Sequence, residues 1–347
     1  MSNSLHVLVV DDSAVVRQTL KSLLSTQDDI VTTVAHDPLI AAAKMQRERP
    51  DVIILDLEMP RMDGLTFLRN IMREDPLPVI ICSGYVGSAS RLAMQALEAG
   101  AVELIGKPSV GLQTFLEESA VQLIDAVRAA ALCKPFSRTR RHPITSMPRA
   151  RRQPATISDP RIIAIGASTG GTEALREILA QLPESTRGIA IVQHMPGQFT
   201  RSFAKHLNEA SALDVKEAES GDEFLPGRAL VAPGDKHLVV LSRNGKLYAD
   251  VVEGPLVSRH RPSVDVLFRS VAAEVGAASA GVILTGMGAD GAEGLREMKK
   301  AGAHTIAQDE ATCAVFGMPR EAIKRSAVDR VLPLGDIAAA LDFSAIE

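Results

Sequence analysis

Tryptophan is absent from this 347-residue sequence, and with two tyrosines and nine phenylalanines the aromatic share is only 3%. Binding single-stranded nucleic acid through stacked bases needs aromatic platforms, so that class is set aside. Strong charge of one sign is missing too. A formal net charge of −4 gives no electrostatic reason to expect nucleic acid as a partner. The three cysteines, Cys82, Cys133 and Cys313, show no CxxC and no metal-like spacing. This excludes a disulfide framework and a zinc site, and fits a reducing compartment. No apolar run approaches the roughly 18 residues that span a bilayer. The opening MSNSL lacks the charged start and long apolar core of a secretory leader. A cytoplasmic protein with no direct membrane insertion is expected.

What is present is an ordinary globular balance, 46% hydrophobic and 23% charged, in a chain long enough for two domains. The first third alternates β-rich runs with amphipathic stretches. HVLVV (6–10), VTTVA (31–35), VIILDL (52–57), PVIICS (78–83) and VELI (102–105) read as strands. Helical periodicity covers Ser13 to Leu24 and Gln113 to Ala131, and Asp37 before Pro38 marks a helix start. Five such β-then-α units predict a parallel sheet covered by helices on both faces.

From Lys134 to Arg161 the composition changes to seven arginines, one lysine and five prolines, with no acid until Asp159. This predicts an extended, exposed basic linker; a tether to an acidic surface is the alternative. The alternation then restarts. IIAIGA (162–167), IAIVQ (189–193), VILTG (282–286) and HTIAQ (304–308) read as strands. Helices are predicted over Thr172–Gln181, Pro196–Leu207, Ser263–Val275 and Ala292–Ala301. A β-hairpin interrupts them, HLVVL (237–241) and KLYADVV (246–252) joined across Asn244-Gly245, a dipeptide that favours a tight primed turn.

Carboxylates stand at strand ends in the first unit: Asp11 and Asp12 after the first strand, Asp56 after the third. Strand ends converge at the switch point of an open parallel sheet, where ligands bind. Three clustered carboxylates call for a hard divalent cation such as Mg²⁺. Asp56 is the expected phosphoryl acceptor, and Ser83 and Lys107 are placed to bind the incoming phosphoryl oxygens. Helix capping alone would account for Asp12, but not for five polar residues at successive strand ends. The segments VVDDS, DVIILDLEMPRMDG, CSG and GKP resemble, in order, the signature points of the response-regulator receiver domain over residues 5–131. Leu104 stands where receivers usually carry an aromatic switch residue.

In the second unit, strand IIAIGA runs into Ser168-Thr169-Gly170-Gly171, a glycine-rich turn before a helix. A serine there lies near backbone N–H groups and the positive end of a helix, which suits a nucleophile with an oxyanion intermediate. His194 ends the next strand and Asp290 follows a later one in GMGADG. Their roles would be attack by Ser168, proton transfer by His194, and orientation of the imidazole by Asp290. A dinucleotide-binding reading of GASTGG is the rival; it needs an acid at the end of the second strand, where this chain has His194. His237, His260 and His304 are not spaced as metal ligands and read as surface or turn residues. Arg259 and Arg261 read as solvated loop charges.

Residues 162–331 resemble the catalytic domain of the chemotaxis protein-glutamate methylesterase family, CheB, through GASTGGTEAL, VQHMPGQFTRSFAKHLN, VAPGDKHL, HRPSVDVLF, LTGMGADGAEGL and QDEATCAVFGMP. The resemblance implies Ser168, His194 and Asp290 as a triad, the Met287 N–H as an oxyanion donor and Thr169 as a supporting hydroxyl. It also implies a flavodoxin-like receiver at 1–131, a linker at 132–160, and a doubly wound α/β hydrolytic domain with a hairpin insertion at 161–347. The implied activity is removal of methyl groups from glutamate γ-methyl esters of chemoreceptor cytoplasmic domains, with deamidation of receptor glutamines, switched on by a chemotaxis histidine kinase. Mg²⁺ would serve the phosphorylation site only, with no cofactor for the esterase. A binding module with no catalytic activity remains the other class; its behaviour would not depend on Ser168.

Overall fold

In the computed structural model, residues 4–84, 87–107, 113–133 and 161–341 are described. The predicted linker falls almost wholly outside them. The first unit alternates β1 (Leu5–Val10), α1 (Ala14–Leu24), β2 (Ile30–Ala35), α2 (Pro38–Arg47), β3 (Val52–Leu55), α3 (Gly64–Glu74), β4 (Val79–Ser83), α4 (Gly87–Glu98), β5 (Glu103–Gly106) and α5 (Gln113–Leu132). Helix starts are set locally. Ser13, Asp37 and Asp63 each accept a hydrogen bond from the backbone N–H three residues on, at 3.4, 2.8 and 2.8 Å, satisfying donors that the first turn leaves open. The sheet is parallel in the order β2-β1-β3-β4-β5. The chain reverses direction across the sheet between β1 and β3, so the residues after these strands share one crevice.

The second unit begins with β6 (Ile162–Ala167), α6 (Gly171–Leu179), β7 (Gly188–Gln193), α7 (Gly197–Ala210), β8 (Asp214–Glu217) and β9 (Arg228–Val231). A hairpin of β10 (His237–Arg243) and β11 (Lys246–Val252) follows. Then come α8 (Val264–Glu274), β12 (Ser279–Ile283), α9 (Ala292–Lys300), β13 (His304–Gln308), α10 (Met318–Lys324), β14 (Arg330–Leu332) and α11 (Leu334–Leu341). The seven-stranded sheet is parallel in the order β14-β13-β12-β6-β7-β9-β8, with its switch point between β6 and β12. The hairpin is antiparallel, and Asn244 and Gly245 take the positive φ values, 51° and 79°, of a primed turn.

Two differences from the sequence reading have physical causes. The strand read as 282–286 is β12 at 279–283. Its first three residues, Ser279-Ala280-Gly281, are too small to register as an apolar run. Gly281 is nevertheless required, because a Cβ there would meet Leu295 Cδ1 at 2.6 Å. The short β8, β9 and β14 were not expected at all; β8 and β14 are sheet edges with too few apolar residues to show alternation. The sheets are tied together. One buried apolar cluster runs from Leu55 and Leu68 through Met94 and Leu104 to Ile165, Leu175 and Phe203.

Candidate active site and phosphorylation site

The crevice at the β1/β3 switch point gathers Asp11, Asp12 and Asp56, whose carboxylate oxygens lie within 4.8 Å of one another. Lys107 bridges two of them, its Nζ 2.9 Å from Asp11 Oδ2 and 2.8 Å from Asp56 Oδ2. Burial pushes the Asp56 carboxyl above its ordinary range, and the bond from Lys107 offsets this only in part. Burial alone would lower Lys107, but its bonds to Asp56 and Asp11 outweigh it and hold the ammonium above its usual range. The Ser83 hydroxyl is buried with no hydrogen-bond partner, an orphan acceptor and donor beside this cluster at the end of β4. Asp11, Asp12, Asp56 and Lys107 therefore meet, with Ser83 ending the neighbouring strand, and an all-oxygen carboxylate set fits a hard divalent cation.

At the β6/β12 switch point, Ser168 follows β6, His194 follows β7 and Asp290 follows β12, so three neighbouring strands deliver them to one edge. Asp290 is the most fixed. It accepts His194 Nε2 at 2.8 Å, Ser263 Oγ at 2.7 Å, and the backbone N–H groups of Val264 and Asp265 at 2.8 and 3.1 Å. Burial works against its charge, but these bonds outweigh it and hold the carboxyl below the usual range. His194 is thus anchored through Nε2, while its buried Nδ1 has no partner. Ser168 and His194 line one enclosed cavity, 8% and 9% exposed, without a hydrogen bond between their side chains.

The Ser168 turn is braced from behind. Ser168 N–H donates to Thr285 O at 3.0 Å, the Thr285 hydroxyl donates to Thr169 O at 2.9 Å, and Gln308 Oε1 accepts the Thr285 N–H at 2.9 Å. Gly286 packs so closely that a Cβ there would lie 2.7 Å from Ser168 Cβ. This places Met287, the next residue, beside the nucleophile. Thr285 and Gln308 carry no sequence signal that would have marked them.

His260 lies in a turn, as the sequence reading has it, but the turn brings it into the site. Its ring stacks on His194, centroids 3.8 Å apart and 5° from parallel. Burial, and then the neighbouring His194, lower its basicity far below the ordinary imidazole range. The cause is a tight turn, with Ser258 and Arg259 at φ 52° and 67°, that folds the loop back over the site. His237 is likewise no surface residue: it is 3% exposed and its ring bonds Pro255 O and the Ser263 N–H. Nor are the two arginines simply solvated. Arg261 donates to Gly254 O, and Arg259 pairs with Asp125 of α5 at 3.3 Å.

The site is covered by the first unit. Leu97, Val102, Glu103 and Leu104 form one side of the cavity, with Ser168, Thr172, Gln193, His194 and Met195 opposite. Thr169 Oγ1 donates to Glu103, Gln198 of α7 donates to the Ser83 carbonyl at 3.3 Å, and His206 of α7 lies 3.4 Å from Glu98 of α4. Ser83 thus belongs both to the aspartate crevice and to this contact.

Comparison with known proteins agrees in both halves. The family profile described as CheB methylesterase matches residues 163–341, and that described as response regulator receiver domain matches residues 7–139. The chain is 54% identical to protein-glutamate methylesterase/protein-glutamine glutaminase 2 of Chromobacterium violaceum, covering 97% of this chain and 99% of that one. It is 51% identical to protein-glutamate methylesterase/protein-glutamine glutaminase 1 of Pseudomonas savastanoi pv. phaseolicola, over 98% and 99%. The crystal structure of the Thermotoga maritima CheB methylesterase catalytic domain aligns with a TM-score of 0.52 at 41% identity, covering 53% of this chain and 98% of that one.

Proposed function

The chain belongs to the CheB methylesterase family, and from that membership we propose that Ser168, His194 and Asp290 are the triad of its ester hydrolysis. The protein is a protein-glutamate methylesterase and protein-glutamine glutaminase under receiver control, acting in chemotactic adaptation. Ser168 Oγ attacks the γ-acyl carbon of a receptor glutamate methyl ester or glutamine. His194 takes the serine proton on Nδ1 and returns it to the departing methanol or ammonia; water then cleaves the acyl-enzyme. Asp290, on Nε2, holds the imidazole and stabilises the imidazolium. The Met287 N–H is assigned to the oxyanion, and Thr169 to a supporting hydroxyl. The single observation carrying this reading is the convergence of three side chains from adjacent strands, with the 2.8 Å His194–Asp290 bond at its centre.

Residues 1–131 are assigned to the receiver, 132–160 to a basic linker and 161–347 to the catalytic domain. Asp56 is the phosphoryl acceptor, with Ser83 and Lys107 binding phosphoryl oxygens. Asp11, Asp12 and Asp56 would hold Mg²⁺, which when bound neutralises charge on the transferring group. A chemotaxis histidine kinase supplies the phosphoryl group, and the substrates are methylated chemoreceptor cytoplasmic domains. No described helix is long and apolar enough to cross a membrane; a cytoplasmic location, without membrane insertion or nucleic acid, suits these partners. Control works by occlusion, because the docked receiver closes the cavity that Ser168 and His194 line. Methanol release from methylated receptor fragments, with and without phosphodonor, tests this. Release should rise with phosphodonor and vanish in Ser168→Ala; release that survives in that variant would remove Ser168 from the mechanism.

A further inference from the structure

The residue that the first unit inserts into the catalytic cavity is a glutamate. Glu103 opens β5, the edge strand of its sheet, and its side chain lines the cavity opposite Ser168, Thr172, Gln193 and His194. One carboxyl oxygen accepts the hydroxyl of Thr169, the residue next to the nucleophile. Among the described residues no lysine, arginine or histidine forms an ion pair with it. A plug needs no carboxyl. Withdrawing one partly from water without a cation costs free energy that an apolar side chain in its place would not, and Val102, Leu104 and Leu97 already supply the apolar seal. Burial also pushes the Glu103 carboxyl up to about 7, so a large share of it is uncharged near neutral pH, as an ester or amide is. The reaction offers a reason: its product is a glutamate γ-carboxyl group beside Ser168.

On the methylesterase–glutaminase reading, we propose that Glu103 occupies the acyl subsite as an internal analogue of the product, so that the Thr169 hydroxyl and the walls at Thr172 and Gln193 form the pocket that selects a glutamate-length side chain. Receptor side chain and β5 then compete for one pocket, and hydrolysis of a receptor residue requires Glu103 to leave.

The full-length Glu103→Gln protein makes this chemical, because the substitution carries a substrate amide into the subsite. Ser168 Oγ attacks the Cδ of that amide, ammonia departs with the proton delivered by His194, and water hydrolyses the resulting ester to a carboxylate and free serine. Peptide mass spectrometry should find position 103 of this variant converted back to glutamate, and should find the amide intact when Ser168→Ala is added. Glu103→Asp, one methylene shorter, and Glu103→Ala should both raise methanol release several-fold without phosphodonor. An amide that persists at position 103 in a preparation still releasing methanol with phosphodonor would overturn the subsite assignment, as would unchanged release from both shortened variants. A wild-type protein that releases no methanol under any condition would fail the esterase reading and bring this inference down with it.

Discussion

At the scale of single residues, Asp290 is the least replaceable. All four of its partners donate, so the amide of Asp290→Asn must turn a donor toward another donor. We expect kcat to fall on the order of 10⁴-fold and stability by about 1–3 kcal/mol, the cost of leaving a buried donor unmatched. Steady-state kinetics and denaturant melts read the two separately. His260 acts through His194 and is a positioning residue. His260→Ala should lower kcat about tenfold with KM unchanged, while His260→Phe, which keeps the stacked ring, restores most of it; a change confined to KM would remove that role. Ser168, His194, Asp290 and the aspartate crevice were legible because each residue follows a strand, and strand ends in a parallel sheet share an edge. His260 was not, since a histidine in a loop becomes a neighbour of His194 only through the backbone turn at Ser258 and Arg259. Glu103 was hidden for a different reason: in VELI it looks like any solvent-facing strand residue, and nothing local tells that another unit covers it.

At the scale of elements, the strand-to-helix turns carry the demand for glycine. Gly286 has no room for a side chain, because a Cβ would stand 2.3 Å from Met318 Sδ and 2.7 Å from Ser168 Cβ. Gly286→Ala should displace the nucleophile and lower kcat by about 10²-fold or more. Gly245 has open space at its hairpin tip but a φ of 79°. Gly245→Ala should therefore cost about 1–2 kcal/mol in stability and leave kcat alone. Thermal melts run beside kinetics distinguish the two, and equal effects on kcat would refute the contrast. Elements rich in Val and Ile, such as β3, β4 and β6, were readable from sequence alone. Those made of small residues, as at the start of β12, or only a few residues long, as β14, take their conformation from packing and escape a pattern search.

At the scale of the whole molecule, burial of Glu103 ties the closed arrangement to pH. Freed from the cavity its carboxyl returns to the ordinary value of 4.5, whereas in the closed form burial pushes it up to about 7. The charged form is disfavoured only when closed, so closure takes up protons. Its cost starts as pH rises past the free value and is complete above the closed value. The unphosphorylated protein should therefore be more open at pH 8 than at pH 6. Small-angle scattering should show this as a larger radius of gyration, and Glu103→Ala should flatten the dependence. His194 and Cys133 face the same region, which makes a conformational readout preferable to a kinetic one. A wild-type profile as flat as that of the variant would remove Glu103 from the balance.

The seam at the end of α5 has a use beyond holding the two halves together. Cys133 is packed there with Ala129 against Val315 and Met287, 7% exposed, its thiol pushed up to about 12 by burial. Cys82 lies inside the N-terminal core, and the groups that act on the Cys313 thiol, Asp309, Thr285 and Glu310, belong to the second unit. When the halves part, Cys133 gains water and recovers the acidity of an ordinary thiol. The molecule thus carries a chemical clock for its own activation. Alkylation of Cys133, followed by mass spectrometry with Cys82 as the internal standard, should accelerate on addition of phosphodonor. A constant rate would mean that activation leaves this seam shut and frees the catalytic cavity by a smaller movement of β5.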